Sequence, residues 1–91
     1  MTSSDSTRYR LRERIRWQCR RGMLELDLVL NAFVERHFDT LDARNLEMFQ
    51  ALLAYPDPVL LELVMGHAEP EDPAECDMLA LVRAVNTTIA A

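Results

Sequence analysis

The most informative residues of this 91-residue chain are an arginine pair, a glycine and a glutamate at fixed spacing, Arg20-Arg21-Gly22 followed by Glu25. Arginine carries a planar, permanently charged guanidinium that suits recognition of anionic groups. Glycine permits a positive φ or the close approach of a second surface. Glu25 falls in the first turn of the apolar helical pattern that follows, where the helix dipole favours a negative charge. Core packing requires none of these residues, so the run is a candidate binding site.

The same run also has a structural interpretation, because a connection between two helices commonly contains a glycine and a first-turn acid. Trp17 and Tyr9 present a similar choice, since both lie off the apolar stripe of their helix. They either cover a neighbouring helix or form exposed aromatic anchors beside arginines, a composition that is enriched at interface hot spots. Both interpretations remain open at this point.

Five helices are predicted to position these residues, because apolar residues recur at helical spacing and no alternating strand pattern persists. The helices are predicted over residues 8–19, 23–37, 42–54, 57–66 and 72–87. Asp42 or Thr40 is expected to cap the third helix. Asp57 and Asp72, each followed by proline, are expected to cap the fourth and fifth. The fold class is therefore all-α, a single five-helix bundle.

The second helix is predicted to lie at the centre of the bundle. One of its faces carries an apolar row, and the opposite face carries Leu24 and Leu28. The row consists of Leu26, Val29, Leu30 and Phe33. A helix that is apolar on two faces is expected to pack from two sides.

Length and composition indicate one ordinary globular domain, since 49% of the residues are hydrophobic and 27% are charged. We expect a disordered tail over residues 1–7 and the five-helix domain over residues 8–91. No apolar run approaches the length of a membrane span, and no signal peptide is visible. These features favour a bacterial cytoplasmic protein. Cys19 and Cys76 both fall within helical patterns and are interpreted as small buried apolar residues.

The charge is distributed unevenly along the chain. Residues 1–21 contain seven arginines and two acids, a net of +5, and the remaining seventy residues carry −10, which together give the net charge of −5. Part of this asymmetry should be satisfied by ion pairs within the fold, and the rest could steer a charged partner. Nucleic-acid binding through the first helix is an alternative, but a dedicated binder usually has a basic footprint, unlike this acidic chain.

No independent catalytic site is evident in the sequence. The chain has no glycine-rich phosphate loop, its two cysteines and two histidines match no zinc spacing, and no nucleophile is paired with a base. We therefore expect a protein that is not an enzyme and that binds no metal or cofactor of its own.

The run Arg21-Gly22-Met23-Leu24-Glu25 resembles the Arg-Gly-x-x-Glu signature of the succinate dehydrogenase assembly factors, small helical proteins that promote covalent attachment of FAD. The resemblance extends over residues 8–85. It implies a monomeric factor that binds the flavoprotein subunit of succinate dehydrogenase, with that of fumarate reductase as a further client. FAD would be attached to the client and not to this chain. Arg21, Gly22 and Glu25 would form the partner-binding patch, supported by Arg20 and Trp17. A generic interaction module with another client is the remaining alternative.

Overall fold

The computed structural model describes residues 3–90, with side chains described for residues 7–88. It contains five α-helices: α1 (Ser3–Gln18), α2 (Leu24–His37), α3 (Ala43–Leu53), α4 (Asp57–Val64) and α5 (Cys76–Ala90). Short 3₁₀ helices cover Phe38–Thr40 and Pro73–Glu75. The described residues include no β-strand. The predicted all-α class and the five helices are thus confirmed, and no helix within residues 3–90 is long and apolar enough to cross a bilayer.

The first helix starts earlier than the sequence pattern predicted. Residues 1 and 2, part of the predicted tail, lie outside the described residues, whereas the chain is helical from Ser3 onward. Residues 3–7 contain no proline or glycine, and serine and aspartate are residue types favoured at the beginning of a helix.

Helix α1 lies along α2 through an apolar stripe flanked by arginines. Ile15 and Cys19 are fully buried, and Leu11 packs against the core at its edge. Arg16 Nη1 lies 3.0 Å and Arg12 Nη2 lies 3.4 Å from the two carboxylate oxygens of Glu35. The expectation that part of the charge asymmetry is satisfied internally is therefore confirmed.

The beginning of α1 is held against the end of α2 by one further arginine. Arg8 Nη2 donates hydrogen bonds to the carbonyl oxygens of Asp39, at 3.0 Å, and Phe38, at 3.4 Å. Its guanidinium also lies 5.2 Å from the centre of the Phe38 ring. The two helices therefore run antiparallel along their whole shared length.

Helix α2 is central, as predicted, and contacts α1, α4 and α5. The predicted apolar row is buried together with Val34. The second apolar face is not buried, because Leu24 is 73% exposed and Leu28 is 51% exposed. The prediction that these two leucines pack against another element was wrong. Periodicity identifies an apolar face but does not say whether the fold supplies a helix to cover it.

The predicted N-caps agree with the structure in one case and differ in two. Asp42 caps α3 by accepting a hydrogen bond from the amide of Asn45 at 2.8 Å. Asp57 is the first residue of α4 and does not cap it, since Pro56 occupies the cap position. Asp72 caps the 3₁₀ helix by accepting from the amide of Ala74 at 2.9 Å.

Glu75 does not complete the predicted capping box with Asp72. Its carboxylate is buried and accepts a hydrogen bond of 2.8 Å from the Tyr55 hydroxyl, which ties the end of α3 to the start of α5. Cys76 begins α5 and is exposed, contrary to prediction, whereas Cys19 is buried as predicted. The partner that draws Glu75 inward is twenty residues away in sequence, which local patterns do not reveal.

Candidate partner-binding surface at the α1–α2 junction

The junction between α1 and α2 is a tight turn that depends on Gly22. Gly22 has φ +77°, a conformation that L side chains rarely adopt. A Cβ added at this position would have no atom within 4 Å. The glycine is therefore required by backbone conformation and not by lack of space. The open space also leaves the backbone of the turn accessible to another molecule.

Arg21, which is predicted to face a partner, directs its side chain into the fold. Only 16% of the side chain is exposed. Its Nη1 lies 2.9 Å from Oδ1 of Asp57, and its Nη2 donates a hydrogen bond to the carbonyl oxygen of Leu53. Its Nε donates to the carbonyl oxygen of Gln18 at 2.7 Å. Arg21 thus joins the turn to the end of α3 and the start of α4, and its direct contact with a partner stays a prediction.

Asp27 and Cys19 complete the inner side of the turn. Asp27 Oδ1 accepts a hydrogen bond of 2.7 Å from the backbone amide of Arg21, which closes the turn onto the first part of α2. Cys19 is fully buried at the end of α1. Burial raises the pKa of its thiol to about 12, against an opposing effect of the Arg21 charge. The thiol is therefore protonated at neutral pH and acts as a packing group.

Trp17 and Arg20 lie on the outer side of the same turn. Trp17 is 70% exposed, and the Arg20 guanidinium lies 5.6 Å from the centre of its indole ring. Both residues line two surface grooves. One groove, of about 420 Å³, runs between the end of α1 and α3, where it reaches Gln50. The other, of about 700 Å³, runs along α1 to Asn31 of α2. The indole therefore stands between two depressions that a partner could fill.

Glu25 begins a second exposed row on α2. It lies in the first turn of the helix with its side chain in solvent, as predicted. Leu24 immediately precedes it, and Leu28 and Asn31 follow at helical spacing on nearly the same face. Because Asn31 lines the groove that contains Trp17, this row continues the groove towards the start of α2. We call Trp17, Arg20, Leu24, Glu25 and Leu28 the junction surface.

The structure brings four of the five predicted site residues to the exposed side of the junction. Trp17, Arg20, Gly22 and Glu25 are exposed there, while Arg21 holds the turn from inside. Sequence reasoning assigned Leu24 and Leu28 to the core and so missed them as surface residues. The available signal was their position, because Leu24 lies within the Arg21–Glu25 run, Leu28 follows it, and two leucines on the face opposite the core row are natural contacts for a partner.

Comparison with known proteins matches residues 13–86 to a family model described as the flavinator of succinate dehydrogenase. The chain belongs to this family. The family predicted from the Arg21-Gly22-x-x-Glu25 run is confirmed, and so is the assembly-factor function predicted with it. The matched segment includes every residue of the junction surface.

Several curated relatives named FAD assembly factor SdhE are similar to this chain. The Photobacterium profundum relative is 40% identical over 88 residues, which cover 97% of this chain and 94% of that protein. The Coxiella burnetii relative is 49% identical over 65% of this chain and 72% of its own length. The Vibrio cholerae relative is 44% identical over 85% of this chain and 83% of its own length. No solved structure gave a significant match.

Proposed function

We propose that this chain binds the flavoprotein subunit of succinate dehydrogenase through the junction surface and so promotes covalent attachment of FAD to that subunit. The observation that carries the proposal is the exposure of Trp17, Leu24 and Leu28 beside the family motif. Leu24 and Leu28 are one helical turn apart on α2, and exposed apolar side chains that adjoin one another commonly mark a protein interaction site. The flavoprotein subunit of fumarate reductase is the second client in this proposal.

The mechanism proposed is selection of a client conformation. A factor changes a conformational equilibrium only if it binds one state more tightly than the others. The junction surface suits this task because its inner side is fixed by Arg21 and Asp27, so a rigid shape is presented to the client. The bond to FAD would then form on a residue of the client. The chain itself would supply binding energy and no reacting group.

We also propose that the chain carries no flavin of its own. Its grooves lie on the surface, and Arg12 and Arg16, which could otherwise hold a phosphate, are paired with Glu35. The test is the visible absorbance of the purified protein, because a bound flavin would add its own absorption bands. Flavin retained at one equivalent through gel filtration would overturn this part of the proposal.

The decisive test of the junction surface is Glu25→Ala. Glu25 is exposed, so its loss should leave the fold intact while removing a carboxylate from the client-binding face. We expect less covalent flavin on the client when the two proteins are produced together, measured by fluorescence of the client band on a denaturing gel. Glu47→Ala is the matched control, because Glu47 is an exposed acid on α3 and its loss changes the net charge equally. Equal flavin with both variants would show that the surface is misplaced.

Gly22→Arg provides a harsher test of the same surface. An arginine at φ +77° is strained, and its side chain would occupy the open space in front of the turn. We expect loss of client flavinylation with most of the helical circular dichroism retained. Gly22→Ala introduces the same strain without the long side chain, so comparison of the two variants separates backbone strain from obstruction. Full flavinylation with Gly22→Arg would exclude close approach at the turn.

Nucleic-acid binding through α1 receives less support from the contacts. Arg8, Arg12 and Arg16 are paired with acids of the same chain, and Arg21 is largely buried. Affinity for DNA measured at increasing salt would separate the two functions, because phosphate contacts produce a steep decrease in the binding constant.

A further inference from the structure

A row of exposed residues continues from Trp17 towards the start of α1. Arg10, Arg14 and Trp17 follow one another at i, i+4 and i+7, so they lie on one face of the helix. All three side chains are exposed. At 1.5 Å per residue, the row extends about 10 Å beyond the indole. We call Arg10, Arg14 and Trp17 the outer row.

The two arginines of the outer row have no acidic partner, unlike the arginines on the side of α1 that faces α2. Arg8 and Arg16 each lie within salt-bridge distance of a carboxylate from the segment that follows the junction. Among the side chains of residues 7–88, no carboxylate lies within that distance of Arg10 or Arg14. Two permanent charges are therefore available to another molecule.

The junction surface alone is too small to form a stable interface with the client. A stable interface buries about 800 Å² on each partner and includes roughly 20–30 residues. The junction surface has five residues, so a client that covers it must also contact neighbouring surface. The outer row is continuous with it through Trp17. Arg10 lies outside the segment matched to the family model, which begins at residue 13, whereas Arg14 and Trp17 lie inside it.

We propose that the outer row binds an acidic patch on the client flavoprotein and orients the client over the junction surface. This inference rests on the proposed function. Charge selects the partner, because residues 22–91 carry a net of −10 whereas residues 1–21 carry a net of +5, so the main body of the chain repels an acidic patch and α1 attracts it. An acidic patch is thus attracted most strongly along α1, where the excess of positive charge lies. Glu13, which borders the row, limits the local excess of positive charge but does not cancel it.

The experiment compares two double variants that change the net charge equally. Arg10→Gln with Arg14→Gln removes the charges of the outer row. Arg36→Gln with Arg44→Gln removes two exposed arginines from α2 and α3 and serves as the matched control. Association and dissociation rate constants with the purified, FAD-free flavoprotein are measured at low and high salt. Circular dichroism melts establish that both variants are folded.

We expect the outer-row variant to associate roughly tenfold more slowly than the wild type at low salt, with a smaller difference at high salt. The control should change the association rate much less. Equal rates for the two variants would overturn this inference while leaving the proposed function intact. Failure of the wild type to bind the flavoprotein would overturn both. Loss of salt-dependent DNA binding in the outer-row variant, with unchanged client binding, would assign the row to nucleic acid instead.

Discussion

The inner and outer sides of the α1–α2 junction are built from neighbouring residues with opposite surroundings. Arg21 is mostly buried and joined to Asp57 and Leu53, whereas Arg20, one position earlier, lies in solvent beside Trp17. The inner contacts of Arg21 determine the shape of the turn. Arg20 and Trp17 on the outer side are exposed and do not pack in the core. The family motif therefore combines stability and recognition in adjacent residues, and substitutions should separate the two.

The largest loss of stability is expected beneath the inner side, from Leu30→Ala. Leu30 is 1% exposed in the centre of α2, so truncation removes buried contacts and leaves a cavity. We expect the free energy of unfolding to decrease by about 2–5 kcal/mol. Denaturant titration monitored by circular dichroism measures this change. A decrease below about 1 kcal/mol would contradict the central position of α2.

A smaller but clear loss is expected from Arg21→Ala. The substitution removes the ion pair with Asp57 and the hydrogen bond to Leu53, and it leaves their partly buried oxygen atoms without that donor. Hydrogen bonds to charged groups contribute about 1.5–3 kcal/mol, and we expect a loss in this range. Arg20→Ala, measured in the same titration, should cost less than about 0.5 kcal/mol. Equal losses would remove the distinction between the two sides.

The buried thiol of Cys19 predicts a loss of stability in alkaline solution. Its pKa is raised to about 12 in the fold, so unfolding lets the thiol ionise once the pH exceeds the ordinary thiol pKa of 9.0. The folded state therefore binds more protons than the unfolded state above that pH, and stability decreases as pH rises. This group should contribute a loss of about 1.4 kcal/mol between pH 8 and pH 10.

Cys19→Ala provides the comparison, because alanine does not titrate. The variant should be less stable at pH 8 but should lose less stability than the wild type between pH 8 and pH 10. Denaturant titrations at both pH values measure the two differences. The same pH dependence in both proteins would show that Cys19 is not the responsible group.

The smallest effect on stability is expected on the outer side, from Trp17→Ala. The indole is exposed, so we expect a change of no more than about 0.5 kcal/mol in the free energy of unfolding. Binding to the client should weaken by about 2 kcal/mol, as for other aromatic anchors. Thermal melting and titration calorimetry with the flavoprotein measure the two quantities. A large loss of stability with unchanged affinity would reverse the comparison.

The sequence predicted most of the fold because its strongest signals are local. Helical spacing of apolar residues placed Ile15, Leu30 and Phe33 in the core, where they are buried. The cap at Asp42 and the turn at Gly22 also depend only on nearby residues. The family motif drew attention to the turn between α1 and α2 as the predicted site, although the assembly-factor function came from resemblance and not from these patterns.

The remaining features depend on contacts between distant parts of the chain. Arg21 was expected to face a partner, but Asp57, 36 residues later, draws its guanidinium inward. Asp57 is the first residue of α4, after Pro56 in the cap position, and its carboxylate serves this ion pair. Leu24 and Leu28 look like core residues by composition, and only the packing of the helices shows that no element covers them. These features depend on how distant elements pack in three dimensions, and the periodicity of the sequence does not predict them.

The contact of Arg21 with Asp57 also has a kinetic consequence. It joins residues 36 positions apart, across α2 and α3, so the entropic cost of closing this loop leads us to expect that it forms after those helices have assembled. An interaction made late in folding slows unfolding more than it accelerates folding. Arg21→Ala should therefore raise the unfolding rate constant with little change in the folding rate constant. The ion pair would then determine how long each molecule keeps its binding surface assembled between unfolding events.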